Sequence, residues 1–290
     1  MKHSLKVTII ILCMFVAAQF IGLYVASFYS HSGNVIPLGL SFSSNQDPFS
    51  VVFQLIISLI IAILLILGLM KLRAEIVMRI WFFVVVTLAL IITLNALFSF
   101  IPSILILSFI AALVIAYYKI IKRNIIIHNL SELFVYPGIA AIFIPVLSIY
   151  SAVALLIIIS LYDMYAVWKA GFMQKMAKYQ IKKVKIFTGF LVPYLTSSQR
   201  RAFANAKTKS AKKKIKISLA MLGGGDVVFP IIMSGVVLYS RGLVPALFVT
   251  IGAFIGLGAL LYNSEKGKFY PAMPFITLGC LLGLALQFLL

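Results

Sequence analysis

Apolar residues run along this chain in long blocks rather than in alternation. Nine blocks are nearly free of charge: about 7–29, 50–70, 80–98, 101–118, 130–146, 148–168, 217–239, 243–262 and 271–290. A helix rises 1.5 Å per residue and a bilayer's hydrocarbon core is ~30 Å thick, so each block is long enough, or nearly so, to cross as one helix. The stretches 80–118 and 130–168 are each too long for a single span. Pro102 and Pro145 divide them near the middle, because proline removes a backbone donor and breaks a helix. The first block follows Lys2 and Lys6 as a signal peptide would. Its apolar run continues past Ala17 and Ala18 to about Ala26, which is the pattern of a retained anchor.

Composition agrees with this pattern. Of 290 residues 63% are hydrophobic and 11% charged, with a mean hydropathy of +1.14. A soluble domain carries about a quarter charged residues. Too few polar side chains are available to cover a water-facing surface, so a soluble globule is excluded. The expected fold class is all-α, a polytopic membrane protein with nine transmembrane helices. Cys13 and Cys280 both lie in apolar blocks and offer neither a disulfide framework nor a CxxC metal site.

Charge then sets the orientation. The chain has 25 Lys and Arg against 6 Asp and Glu, a net charge of +19. In the nine-span arrangement 24 of the 25 basic residues fall on one side: Lys2 and Lys6, then Lys71, Arg73 and Arg79, then Lys119, Lys122 and Arg123, fourteen residues between Lys169 and Lys216, and Lys266 and Lys268. The other side holds only Arg241. Basic residues stay cytoplasmic, so the N-terminus is expected inside and the C-terminus outside. Three parts follow: a six-helix part over 1–168, a basic cytoplasmic loop over 169–216 and a three-helix part over 217–290. The loop mixes lysines with aromatic residues and has no acid. It suits anionic lipid headgroups, at about 1 kcal/mol per basic residue. A nucleic-acid partner is not expected, since no recognition module is present. Within the loop, residues 186–195 are apolar but too short to span and read as an interfacial segment on the inner leaflet.

Six acids remain as candidate chemistry. Asp47, Glu75 and Glu265 fall in connections, and Glu132, beside Ser131, reads as a first-turn cap or dipole feature. Asp163 and Asp226 lie inside apolar spans, where an ionisable group is costly and marks function. Counted from the inner helix ends, Asp163 sits ~9 Å deep and Asp226 ~13 Å deep. Two carboxyl groups at similar depth on consecutive spans can face each other. Held close, they cannot both ionise readily and share a proton. One then acts as a base on water while the other, protonated, polarises a carbonyl. A hydrogen-bonded pair without chemistry and a proton-transport relay use the same residues.

Neighbouring residues narrow the choice. Gly223, Gly224 and Gly225 precede Asp226 and remove side chains where another helix or a substrate backbone must approach. They are not a phosphate loop, which needs a following GK[ST]. His3, His31 and His128 stand at span ends or in connections, and no HExxH occurs, so metal-dependent or serine–histidine proteolysis finds no support. No metal or other cofactor is expected. Gln19, Asn95 and Gln287 read as inter-helix hydrogen bonds, and Trp81 and Trp168 as interface aromatics.

Tyr162 and Asp163 on one span, and Gly223, Gly224, Gly225 and Asp226 on the next, with a long cytoplasmic loop between, resemble the motifs of the presenilin and signal peptide peptidase family of intramembrane aspartyl proteases. That family has a third motif, Pro-Ala-Leu, at the start of its last span. Pro245, Ala246 and Leu247 are a literal copy but open the eighth span on the outer side. Pro271, Ala272 and Met273 open the ninth from the inner side and depart only by a nearly volume-conserving Leu→Met, so they are taken as the motif. The resemblance implies cleavage of peptide bonds within transmembrane segments. Asp163 and Asp226 would be the catalytic dyad, Tyr162, Gly223, Gly224, Gly225, Pro271, Ala272 and Met273 the motif and substrate-contact residues, and no metal would be involved. It implies a substrate segment that adds as a strand near the Pro-Ala-Leu region. The short chain without long tails looks most like the archaeal presenilin homologues, which implies an archaeal cell membrane and no required accessory subunits. In presenilins the matching loop has an apolar stretch that fills the site until self-cleavage, which is the second reading of 186–195. A prepilin-type peptidase shares Gly-x-Gly-Asp but matches at neither Tyr162 and Asp163 nor 271–273. A proton-coupled transporter would be favoured by internal inverted repeats, and none is seen.

Overall fold

Long apolar runs take the one single-segment backbone form that satisfies its own hydrogen bonds away from water. The computed structural model describes residues 5–31, 36–37, 48–72, 74–122, 124–170, 188–194, 199, 218–264 and 270–287. Among these residues nine α-helices occur: α1 (Leu5–His31), α2 (Pro48–Lys71), α3 (Glu75–Leu97), α4 (Ile104–Tyr117), α5 (Ile125–Phe143), α6 (Ile149–Tyr165), α7 (Gly224–Arg241), α8 (Leu243–Asn263) and α9 (Met273–Leu286). Short wider turns, Tyr118–Lys122 and Ala166–Ala170, extend α4 and α6. Seven helical stretches are long and apolar enough to cross a bilayer, among them Leu5–Ser30, Ile125–Val146, Ile149–Trp168 and Leu243–Asn263. The protein is an integral, multi-pass membrane protein. α7 and α9 are shorter, at 18 and 14 residues.

The proline divisions hold. Residues 98–103 turn around Pro102 between α3 and α4, and Pro145 sits in the short helical turn Ile144–Val146 that ends α5. α6 then starts on a capping box: Ser148 and Ser151 each accept the other's backbone N–H. Two boundaries differ in a way that matters. α5 starts at Ile125, with the Asn124 side chain accepting from the N–H of Ile126 at 2.9 Å, so Glu132 lies mid-helix rather than in a first turn. α7 starts at Gly224, seven residues later than the apolar block that begins at 217.

Those seven residues are largely a strand. Ser218–Gly223 (β2) pairs antiparallel with Gly189–Tyr194 (β1), with Gly189 opposite Gly223 and Tyr194 opposite Ser218. β1 is the middle of the apolar stretch 186–195. It does not lie flat on a leaflet, since Phe190 and Val192 are buried in the protein core with Ala220 and Leu222 from β2. Residues 186, 187 and 195 lie outside the described part of the chain.

α7 is the hub. Val227, Val228 and everything from Pro230 to Leu238 are buried, against α1, α5, α6, α8 and α9. Gln19 of α1 donates to the carbonyl of Val227 at 3.1 Å, one residue past Asp226. α8 and α9 pack backbone to backbone: a Cβ on Gly252 would strike the carbonyl of Gly279, and one on Gly256 that of Phe275. Small residues let two membrane helices approach this closely, and that contact fixes where α9 begins.

Candidate active site

Asp163 lies near the end of α6 and is 7% exposed. Its Oδ2 accepts the backbone N–H of Met273 at 3.1 Å. Pro271 and Ala272 are buried and lead into α9, with Pro274 at its second position. The Met273 N–H belongs to the helix start, where no partner inside the helix exists, so an acceptor from a neighbour completes it. A second tie is the 2.7 Å hydrogen bond between Ser160 and Thr277, one turn along both helices.

Asp226 is the third residue of α7, and Gly223 precedes the helix in extended conformation (φ −62, ψ 145). Its Oδ2 lies beside Gly223, 3.0 Å from where a Cβ on that glycine would stand. An acid at the third helical position beside the residue before the helix has the placement of the acidic member of a capping box. The glycine motif is therefore a strand-to-helix junction rather than the interior of a span, and Asp226 sits in the first helical turn. The earlier depth of ~13 Å from a helix start at 217 does not apply. α6, α7 and α9 pack pairwise. Tyr162, at 36% exposed, points away from the core beside Asp163.

The glycines are unequal. A Cβ on Gly224 would stand 3.0 Å from Tyr136 Cε1 and 3.3 Å from its hydroxyl, and one on Gly223 3.0 Å from Asp226 Oδ2. At Gly225 the nearest atom would be a Phe229 ring carbon at 3.4 Å, an ordinary contact. Gly224 and Gly225 line a cavity of about 520 Å³, otherwise mainly apolar, to which Glu132, Lys119, Tyr136 and Phe229 contribute. Pro245 is at the far end of α7: fifteen residues separate Asp226 from Arg241, about 22 Å of helix, and α8 starts just beyond.

One group of side chains has a role that the sequence reading did not assign, Glu132 having been read as a first-turn cap and His128 as a span-end residue. His128, Asn129, Glu132 and Tyr136 present one face of α5 to the hairpin. His128 Nε2 is 2.8 Å from the carbonyl of Gly189 and donates to it, since a carbonyl only accepts. Asn129 bonds Leu191 twice, Nδ2 to its carbonyl at 2.7 Å and Oδ1 from its N–H at 2.9 Å. The Tyr136 ring meets Phe190 edge-on at 5.3 Å. Glu132 Oε1, 1% exposed, is 3.0 Å from Lys119 Nζ and 3.6 Å from His128 Nε2. Spacing by four at 128, 132 and 136 was the available signal. Among the described residues no three His, Cys, Asp or Glu side chains cluster as metal ligands.

Residues 9–290 match the family described as "Signal-peptide peptidase, presenilin aspartyl protease", and the chain belongs to that family. Two solved structures of "a presenilin family intramembrane aspartate protease" share its fold. The C222 crystal form aligns with a TM-score of 0.60 at 18% identity, covering 96% of this chain and 99% of that one. The P2 form aligns with a TM-score of 0.63 at 16% identity, covering 96% of each. Comparison with curated proteins returns no significant match.

Proposed function

We propose that this protein is an intramembrane aspartyl endopeptidase, with Asp163 and Asp226 as the catalytic pair and 271–273 as its Pro-Ala-Leu-like motif. The observation that carries the reading is the bond from the Met273 N–H to Asp163. It joins the first motif to the third, and α7, which bears the glycine motif and Asp226, packs against both helices. One carboxyl takes a proton from a water while the other, protonated, hydrogen-bonds the scissile carbonyl as it becomes tetrahedral. The shared proton then passes to the leaving nitrogen as the C–N bond breaks.

The substrate class follows from the surroundings. A mainly apolar cavity beside Gly224 and Gly225 suits an apolar transmembrane segment. A helical peptide bond is shielded by its own hydrogen bonds, so the segment must unwind before it is cut. An unwound strand has a partner close by in the hairpin that leads into Asp226. The proposal includes nine spans, with α7 and α9 among them, a cytoplasmic N-terminus and an outer C-terminus, as the 24-to-1 charge division supports. It also includes anionic headgroups at the 169–216 loop and activity without accessory subunits.

A transition-state mimic, with a hydroxyl in place of the scissile carbonyl, tests this reading. Purified protein is expected to cut a single-span peptide and to stop when the mimic is added. Proton uptake into sealed vesicles without cleavage would favour the transporter instead.

A further inference from the structure

The two edges of the hairpin are chemically different. The N–H of Gly224 donates to the carbonyl of Thr188 at 3.3 Å. By the alternation of an antiparallel ladder, the closely bonded pairs are then Phe190 with Leu222, Val192 with Ala220 and Tyr194 with Ser218. The backbone groups of Gly189, Leu191 and Pro193 therefore turn outward from β1, and those of Leu219, Met221 and Gly223 outward from β2.

On β1 that outward edge is engaged by α5 at Gly189 and Leu191. The Gly189 carbonyl takes His128, and Leu191 gives both its N–H and its carbonyl to Asn129. Pro193 has no N–H to offer, which is why a proline can sit in this strand at all. The Asn129 carboxamide bonds Leu191 as the backbone of a neighbouring strand would. It is held in place because α5 is anchored beneath it, where Glu132 joins Lys119 and lies 3.6 Å from His128. The edge of β2 is the opposite case. Among the described residues no backbone bond reaches Leu219 or Met221 from that side, and their side chains are 38% and 43% exposed. This edge runs directly into Asp226.

We infer that Asn129 is a positioning residue that takes the place of a third strand on β1, keeps the hairpin paired before substrate arrives, and directs an unwound substrate segment to the β2 edge. The inference rests on the protease reading. A fixed hairpin presents Leu219, Met221 and Gly223 in one register relative to Asp226, so an added strand offers the same peptide bond at each encounter. Losing Asn129 frees β1 to fray or to accept a strand itself, and a one-residue slip in pairing would offer a different bond.

Asn129→Ala and Asn129→Asp test this, the first removing both bonds and the second keeping the acceptor for the Leu191 N–H while setting a carboxylate oxygen against the Leu191 carbonyl. Full-length protein in detergent is given a single-span peptide, and product masses, KM and kcat are measured beside hydrogen exchange of 188–194. The expected result is a spread of cleavage positions over neighbouring bonds. With it comes a KM rise of roughly tenfold, the scale of about one net hydrogen bond, for little change in kcat. Exchange of the 188–194 amides should be faster in both variants than in wild type. A purely structural residue would lower the active fraction while leaving product masses and KM as they are, and that result overturns the inference. Wild-type protein that cuts nothing overturns the protease reading and the directing role with it. An active variant with unchanged register overturns the directing role alone.

Discussion

Asp163 accepts the N–H of Met273 and Asp226 lies beside Gly223, so an amide, equal in shape to the acid, keeps the form of the site at either position. In the proposed mechanism, what it removes is the shared proton. Asp163→Asn and Asp226→Asn should each reduce cleavage to roughly a thousandth of wild type or less, with the double variant no worse than either, as members of one catalytic unit behave. Helicity by circular dichroism should stay at the wild-type level. Substantial cleavage by either single variant would remove that aspartate from the mechanism. The glycines give a second residue-scale test. Gly224→Ala pushes a methyl against Tyr136 and should slow cleavage well beyond Gly225→Ala, which meets Phe229 at normal distance. Equal rates for the two would contradict the packing around Tyr136. At this scale the sequence was legible wherever a residue violated its surroundings. Two acids and three consecutive glycines inside apolar blocks stand out unaided. His128, Asn129 and Glu132 did not, because each is a single polar residue near the end of a block. The β1 partners of His128 and Asn129 are about sixty positions away, and no local pattern points to those partners.

Helices were readable from apolar length and proline position because a membrane helix satisfies its backbone by itself. The hairpin was not. Residues 218–223 are apolar and continuous with α7, and a short apolar run does not distinguish strand from helix by periodicity. Its pairing partner lies beyond a long basic loop, so the choice is made by a contact that the local sequence does not encode. The buried pair of α5 and the turn after α4 makes an element-scale prediction. Glu132→Gln leaves Lys119, 5% exposed, without its countercharge, and should cost about 3–5 kcal/mol of stability. Replacing both residues by apolar ones of similar volume, as in Glu132→Leu with Lys119→Met, should recover most of that loss. Thermal melting in detergent reads both. A double variant as unstable as the single one would mean that Lys119 and Glu132 do not act as a pair. The same scale separates the two Pro-Ala-x segments. Pro271→Ala alters the chain just before the N–H that holds Asp163, and should slow cleavage strongly. Pro245→Ala, at the other end of α7, should leave the rate within about twofold, the range of a substitution away from the machinery.

For the molecule as a whole, α7 carries the organisation: its first turn holds Asp226, its length is buried among five other helices, and its far end leads into α8. Charge placement orients that arrangement in the membrane. In a background lacking Cys13 and Cys280, a membrane-impermeant thiol reagent on the cytoplasmic side should label Lys122→Cys and Tyr270→Cys. The same reagent outside should label Phe100→Cys and Ser240→Cys. The opposite pattern would invert the topology and detach the site from the side where the basic loop lies. The most direct measurement is made on purified protein in liposomes with a single-span peptide, followed by mass spectrometry of the products. Wild-type protein should yield two fragments divided within the apolar segment, and Asp226→Asn protein should yield none. Intact peptide after incubation with well-folded wild-type protein, or identical fragments from the Asp226→Asn variant, would contradict the account.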